Sequence, residues 1–153
     1  MIRVCVADWI VELSLTAEPR LELAVRRVSD GRKLIGCSEA VDPGPSAGFM
    51  PGIAIVPETQ TLFLGVGKLI RAYSLSTGDE WWSDTADAGF WAWERHGDVV
   101  LMLAELQFAA YDLSAKRLWS TFVEPPWSHE IRGELVELDV MGQKCRFRLH
   151  TGP

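Results

Sequence analysis

Residues 61–82 read TLFLGVGKLIRAYSLSTGDEWW, and this stretch sets the fold class. Two runs of apolar and aromatic residues, Thr61–Val66 and Leu69–Leu75, are separated by Gly67-Lys68, and a third begins beyond Ser76-Thr77-Gly78-Asp79. Short runs of this composition, bounded by glycine and small polar residues, are strand–turn–strand signals. The same pattern continues upstream in Ile2–Ala7, Trp9–Leu15, Leu21–Val28 (after a Thr16–Pro19 turn), Arg32–Cys37 and Gly52–Val56. Between the last two lies Val41–Gly48, too rich in Pro and Gly to hold a sheet ladder and therefore a loop. Downstream it recurs in Glu80–Trp82, Phe90–Glu94, Asp98–Leu103, Gln107–Leu113, Lys116–Val123, Glu130–Arg132, Leu135–Val140 and Lys144–His150. A helix over Val99–Leu113 is the longest competing reading. That segment has good helix formers but no capping residue and no apolar stripe opposite a polar face. The chain is predicted to be all-β.

The quoted segment also recurs. Leu62 maps onto Val99 and Trp82 onto Trp119, each 37 residues on. Ala72–Leu75 maps onto Ala110–Leu113, 38 residues on, and Tyr73–Gly78 onto Phe147–Gly152, 74 residues on. Val28–Leu34 is a weaker copy of Leu75–Trp81. A period of this size carrying four short strands is that of a propeller blade. Ala72–Trp82, AYSLSTGDEWW, resembles the repeat of quinoprotein-like (PQQ-type) β-propellers, whose strand–turn–strand reads A-L-D-x-x-T-G-x-x-x-W. Ala110–Trp119, AYDLSAKRLW, resembles it with one residue fewer and no Thr-Gly, and Phe147–Gly152 matches its first half.

The resemblance covers residues 50–153, and more weakly 20–37. It implies repeated four-stranded antiparallel blades in a small or partial propeller; an open β-sandwich of meanders is the alternative. The expected division is a weak N-terminal unit 1–37, a linker 38–51, and repeats 52–87, 88–127 and 128–153. The last repeat lacks its final strand, which Ile2–Ala7 is placed to supply. Trp82 and Trp119 are expected to pack between neighbouring sheets, where a large ring buries the most area. Quinoprotein dehydrogenases enclose their cofactor in a complete large ring with a metal and an Asp base. This chain is too short for that ring, so no cofactor is expected.

The chain has 153 residues, of which 48% are hydrophobic and 24% charged, which excludes wholesale disorder. Its net charge is −6, so a nucleic-acid partner is not expected. Residues 51–113 hold nine acidic groups against three basic ones and carry the whole excess. No run approaches the ~20 apolar residues of a membrane span, and no membrane association is expected. Met1–Leu15 is interrupted by Asp8 and Glu12, with no signal-peptide cleavage site. Cys5, Cys37 and Cys145 are odd in number and far apart, without zinc spacing. Free thiols without a signal point to the cytoplasm, each reading as a small buried hydrophobe.

No nucleotide, zinc-protease, serine-hydrolase or calcium-loop motif occurs. His96, His129 and His150 are isolated in sequence, so neither a catalytic nor a metal site is expected. Asp84 and Asp87 read as one loop. Trp91 and Trp93 alternate along a strand and are expected on one face, with Phe90, Ala92 and Glu94 on the other. Trp127, after Pro125-Pro126, reads as the least constrained indole.

If the repeats are blades, loops between blades and turns between second and third strands emerge together. That face would carry Glu39, Asp42, Asp84, Asp87, Glu105, Glu124 and Trp127. The first functional reading is a non-catalytic protein-interaction module that binds a basic protein through this face, with an inhibitor or immunity-type role as its extension. The second is a small-molecule or carbohydrate-binding protein using Trp91, Trp93 or Trp127. The third is a hydrolase that assembles Asp84, Asp87 and His129 from separate loops. Homodimerisation through unpaired blade edges is a further expectation.

Overall fold

Short apolar runs bounded by polar turns form the strands: burial alternates along Trp9–Leu15 and Trp127–Arg132, whereas Thr61–Val66 and Val99–Ala104 are buried on both faces, and the turns fold each group of strands into a meander. The computed structural model describes residues 1–18 and 20–153; Pro19, the end of the expected Thr16–Pro19 turn, lies outside them. The first sheet contains β1 (Ile2–Val6), β2 (Trp9–Leu15), β3 (Arg20–Arg27) and β4 (Lys33–Ala40). The second contains β5 (Gly52–Val56), β6 (Thr61–Val66), β7 (Leu69–Ser74) and β8 (Glu80–Thr85). The third contains β9 (Phe90–His96), β10 (Val99–Ala104), β11 (Gln107–Asp112) and β12 (Arg117–Phe122). The fourth has three strands, β13 (Trp127–Arg132), β14 (Leu135–Val140) and β15 (Gln143–Arg148). Every pairing is antiparallel between consecutive strands. Val99–Leu113 is thus a hairpin and not a helix, and Pro45–Ala47 forms a short 3-10 turn in the expected loop.

The sheets stack face to face in chain order through three apolar cores. Val11, Leu13, Leu23 and Val25 of the first sheet meet Leu62, Leu64 and Tyr73 of the second. Phe63 and Ile70 meet Phe90, Met102 and Tyr111 of the third. Leu101, Phe108 and Trp119 meet Val136, Leu138 and Phe147 of the fourth. No buried cluster among the described residues joins the first sheet to the fourth, so the stack is open. Ile2–Val6 pairs with β2 of its own sheet and does not complete the fourth, because the seven-residue β2 and the β1–β2 turn offer a nearer partner. At the C-terminus the chain turns back and makes one antiparallel bridge, Arg148 to Gly152. The edge left there, β15, carries Lys144, Arg146 and Arg148, and such charge disfavours pairing with a second copy.

One contact recurs at each interface. The Trp9 indole N–H donates to the Leu75 carbonyl of the second sheet at 3.1 Å. Trp82 donates to Ala115 of the third at 2.8 Å, and Trp119 to Leu149 of the fourth at 2.6 Å. Trp82 and Trp119 therefore pack between sheets, as their place in the repeat implies. A bulge positions them. The β7–β8 register runs from Ala72↔Trp82 to Tyr73↔Glu80, and β11–β12 from Ala110↔Trp119 to Tyr111↔Arg117, each skipping one residue. The first sheet repeats this at Val25↔Ile35 and Arg26↔Lys33, which shows its kinship with the others. The turn glycines accept the neighbouring sheet. Gly78 has φ 86° and a Cβ there would lie 2.2 Å from the Leu34 oxygen; at Gly152 (φ 76°) it would lie 2.5 Å from the Trp119 ring.

Two outcomes follow from this packing. Trp119→Phe keeps an aromatic ring but removes the pyrrole part of the indole and leaves the Leu149 carbonyl without its donor. It should lower unfolding stability by about 1–3 kcal/mol in denaturant titration, while Trp81→Phe, at an exposed bulge position, should change it by less than about 0.5 kcal/mol. Tyr111, stacked on Trp82 at 5.3 Å, has its phenol pushed up from 10.0 to about 12, mainly by burial and then by the Asp84 charge. The folded state keeps this proton where the unfolded chain has lost it. Stability should therefore fall as pH rises from 10 to about 12, and Tyr111→Phe should remove about 2 kcal/mol of that fall.

Candidate functional site

The connections between sheets are held against turns by backbone hydrogen bonds, and these bonds define one face. Lys68 N–H donates to the Asp42 carbonyl at 3.1 Å, tying the first connection to the β6–β7 turn. Ala86 and Phe90 N–H donate to Lys68 and Gly67 carbonyls, both at 2.7 Å, tying the second connection to the same turn. Glu105 and Leu106 N–H donate to Gly89 and Asp87 at 3.0 and 3.3 Å, and Val123 N–H donates to Leu106 at 3.2 Å. Met141 N–H donates to Pro126 at 2.9 Å, joining the last connection to the β14–β15 turn. Connections between sheets and turns between second and third strands thus emerge together.

Asp42, Asp87, Glu105 and Glu124 all lie in these connections and turns, and none is in an ion pair among the described residues. Asp84 and Glu39 differ. Asp84 stands on β8, not in a loop with Asp87, and faces Arg117 of the third sheet at 3.6 Å. Glu39 stands on β4 and is bound to Arg71 at 2.7 Å.

Trp127 is not the free indole its neighbouring prolines suggested. It opens β13, stacks on Trp91 at 5.6 Å with 13° between the planes, and donates its N–H to the Glu105 carbonyl at 3.2 Å. Trp91 and Trp93 also depart from simple alternation. The β9–β10 register jumps from Leu103↔Ala92 to Ala104↔Phe90, so Trp91 is an extra, bulged residue. Phe90 and Trp93 consequently share the second core, with Trp93 5.0 Å from Phe63, while Trp91 turns to the fourth sheet. A bulge inverts facing on either side of it. At 37% exposure Trp91 is the open half of the Trp91–Trp127 pair.

The histidines are isolated in sequence but not in space. Glu94 and His96, two apart on β9, lie on the side facing β13. His129 Nε2 is 2.9 Å from Glu94 Oε2, and His96 Nε2 is 3.4 Å from the same oxygen. Among the described residues these form one group of three side chains able to share a metal ion, their ligand atoms all within 4.8 Å of one another. His150 meets Asp98 at 2.8 Å. Asp84, Asp87 and His129 are not assembled: Asp84 pairs with Arg117, the Asp87 N–H donates to Gln107, and His129 pairs with Glu94. Cys5 and Cys145 are exposed and not the buried hydrophobes expected; Cys37 is half-buried beside Tyr73 and Arg71, and burial pushes its thiol up, which disfavours the nucleophilic thiolate.

No protein-family model and no curated protein matches the sequence. Solved structures match its shape. BamB from Moraxella catarrhalis superposes with a TM-score of 0.60 at 13% identity over 98% of this chain and 48% of that one. Sqt1 from Saccharomyces cerevisiae gives 0.56 at 14% identity over 95% of this chain and 42% of that one. The β-propeller domain of the Trilobed protease from Pyrococcus furiosus, described as having an open velcro topology, gives 0.54 at 10% identity over 90% and 47%.

The fold is an open, partial β-propeller. The chain spans less than half the length of each of these structures, and at such identities the likeness concerns the fold. In propeller terms the four carboxylates and the Trp91–Trp127 pair sit at one end of the blades. The Glu94–His96–His129 group lies between the first strands of the third and fourth blades.

Proposed function

We propose that this chain is a non-catalytic protein-interaction module whose binding surface is the loop face carrying Asp42, Asp87, Glu105, Glu124 and the Trp91–Trp127 pair. The observation that carries this reading is four carboxylates, with no ion-pair partner among the described residues, held on connections and a turn whose backbones are hydrogen-bonded to one another. Carboxylates without internal partners attract cationic surfaces and accelerate encounter with them, so the partner is a basic protein. A stacked indole pair beside them, Trp91 exposed and Trp127 half-buried, provides rigid apolar area of the kind that dominates interface energies. Asp84, neutralised by Arg117, is peripheral to this surface. The quinoprotein-like class of the blades rests on AYSLSTGDEWW and on the indole contacts between blades. An inhibitor or immunity-type role extends the same reading, since a basic active surface is what such a face would mask. The alternative, a carbohydrate platform, rests on the same indole pair.

Affinity capture from the source cell, followed by mass spectrometry, identifies the partner, and variants test the face. Capture by the unmodified chain should weaken with added salt. It should be lost in an Asp87→Lys, Glu105→Lys, Glu124→Lys triple variant, while Trp91→Ala should weaken it about 30-fold. Unchanged capture by the triple variant would overturn the assignment. Quenching of tryptophan fluorescence by sugars, abolished in Trp91→Ala, would favour the carbohydrate platform instead.

A further inference from the structure

Glu94, His96 and His129 have a donor set that hydrogen bonding alone does not require. Residues two apart on a strand share a face, so β9 presents a carboxylate and an imidazole to the same side, and β13 supplies the second imidazole. All three side chains are partly sheltered, with 38%, 34% and 13% exposure for Glu94, His96 and His129. The His129 ring is held by Phe108 at 4.9 Å and flanked by Trp127 at 6.1 Å. Arg95, the cation nearest to Glu94 in sequence, is turned away and forms two hydrogen bonds to Glu58, at 2.7 and 3.1 Å. Glu94 thus keeps imidazoles, and no guanidinium or ammonium, as its ion-pair partners among the described residues.

We propose that Glu94, His96 and His129 bind a divalent transition-metal ion of the zinc class between the third and fourth blades. Two imidazole nitrogens and one carboxylate oxygen suit Zn2+ and its first-row neighbours, whereas Mg2+ and Ca2+ select oxygen donors. Bond lengths of about 2.0–2.2 Å place the ligands of a tetrahedral ion about 3.3 Å apart. Two of the separations, 2.9 and 3.4 Å, lie either side of that value and the third, between the imidazole nitrogens, is within 4.8 Å, so a small retreat of the Glu94 carboxylate and a small approach of the two rings seat the ion. Three protein ligands leave a fourth position for water. The ion would link β9 to β13, fastening the three-stranded fourth blade, which among the described residues packs on the third, to that neighbour.

The test titrates ZnCl2 and CoCl2 into the chelator-treated full chain, read by calorimetry, thermal unfolding and Co2+ absorption. One equivalent of Zn2+ should bind and raise Tm, Co2+ should show the absorption of a low-symmetry four-coordinate site, and MgCl2 should do neither. Glu94→Gln, which keeps the shape of the side chain, and His129→Ala should each weaken binding by more than the about 10–100-fold that outer-shell partners cost. His150→Ala, Asp98→Asn and Cys145→Ser should leave binding unchanged. Absence of stoichiometric Zn2+ binding would overturn the proposal, as would binding that survives in Glu94→Gln. If His129→Ala does not fold, Glu94→Gln decides.

Discussion

An indole that reaches from one sheet into the terminal turn of the next, and donates its only polar hydrogen there, organises this molecule. Tryptophan brings a large apolar area to an interface, and its buried N–H is costly without an acceptor, a cost that Trp93 bears in the second core, where its N–H has none. The end of a strand has carbonyls left over from the ladder, so the acceptor is already present. Trp82 and Trp119 solve both problems with one residue each, at Ala115 and Leu149. The geometry works because a bulge next to each indole resets the side-chain alternation and because the receiving turn is tight. At the first interface Ile35 occupies the position equivalent to Trp82, and the contact is made by Trp9 from β2. The interaction is kept although the residue that makes it moves to another strand.

Interfaces of this kind are pairwise, and a stack built from them is quasi-one-dimensional, with each sheet stabilised by its immediate neighbours. The outer faces of the first and last sheets then face solvent, and they are composed accordingly. Arg3 and Glu12 pair at 3.5 Å on the first sheet. On the fourth, Glu137 takes Arg146 at 2.8 Å and Lys144 at 3.6 Å, and Arg146 holds its carboxyl below the usual range. Surface ion pairs such as these add little stability. Their effect is to give the two end faces a solvated surface where the internal faces carry Leu, Val and Phe.

What could be read from the sequence followed the range of the underlying interaction. Trp9–Leu15, Gly52–Val56, Thr61–Val66 and Leu135–Val140 form strands with the expected ends, because composition and bounding turns are local. Trp82 and Trp119 were legible because a repeated motif carries their environment with it. As a copy of the repeat the first sheet reads only faintly, since Leu34-Ile35 stands where the later copies carry Trp81-Trp82 and Leu118-Trp119. The orientation of Trp91 was hidden because alternation holds only while the register is unbroken, and the bulge at Trp91 depends on the partner strand β10. Glu94, His96 and His129 were the least visible. Two of them follow a strand period, but the third arrives from the next sheet, and nothing in the spacing of 33 residues between His96 and His129 encodes that meeting. Glu94-Arg95-His96, an E-x-H pair at the end of the expected strand Phe90–Glu94, which the structure extends to His96, is the signal that could have prompted the search.

The hydrogen bonds of the loop face bear directly on how it could recognise anything. A flexible acidic loop loses conformational entropy on binding, which offsets much of what its charges contribute. Here Asp42, Asp87, Glu105 and Leu106 each have a backbone group bonded to the adjacent connection or turn, and Trp127 anchors its indole on the Glu105 carbonyl. With the backbone order already established during folding, a partner has mainly side-chain rotamers left to fix. The same bonds run from one sheet's turn to the next sheet's connection, so the carboxylates are spaced by the stacking itself. A change at an interface indole, which is not part of this face, would therefore shift the spacing between Asp87 and Glu124 without altering either residue.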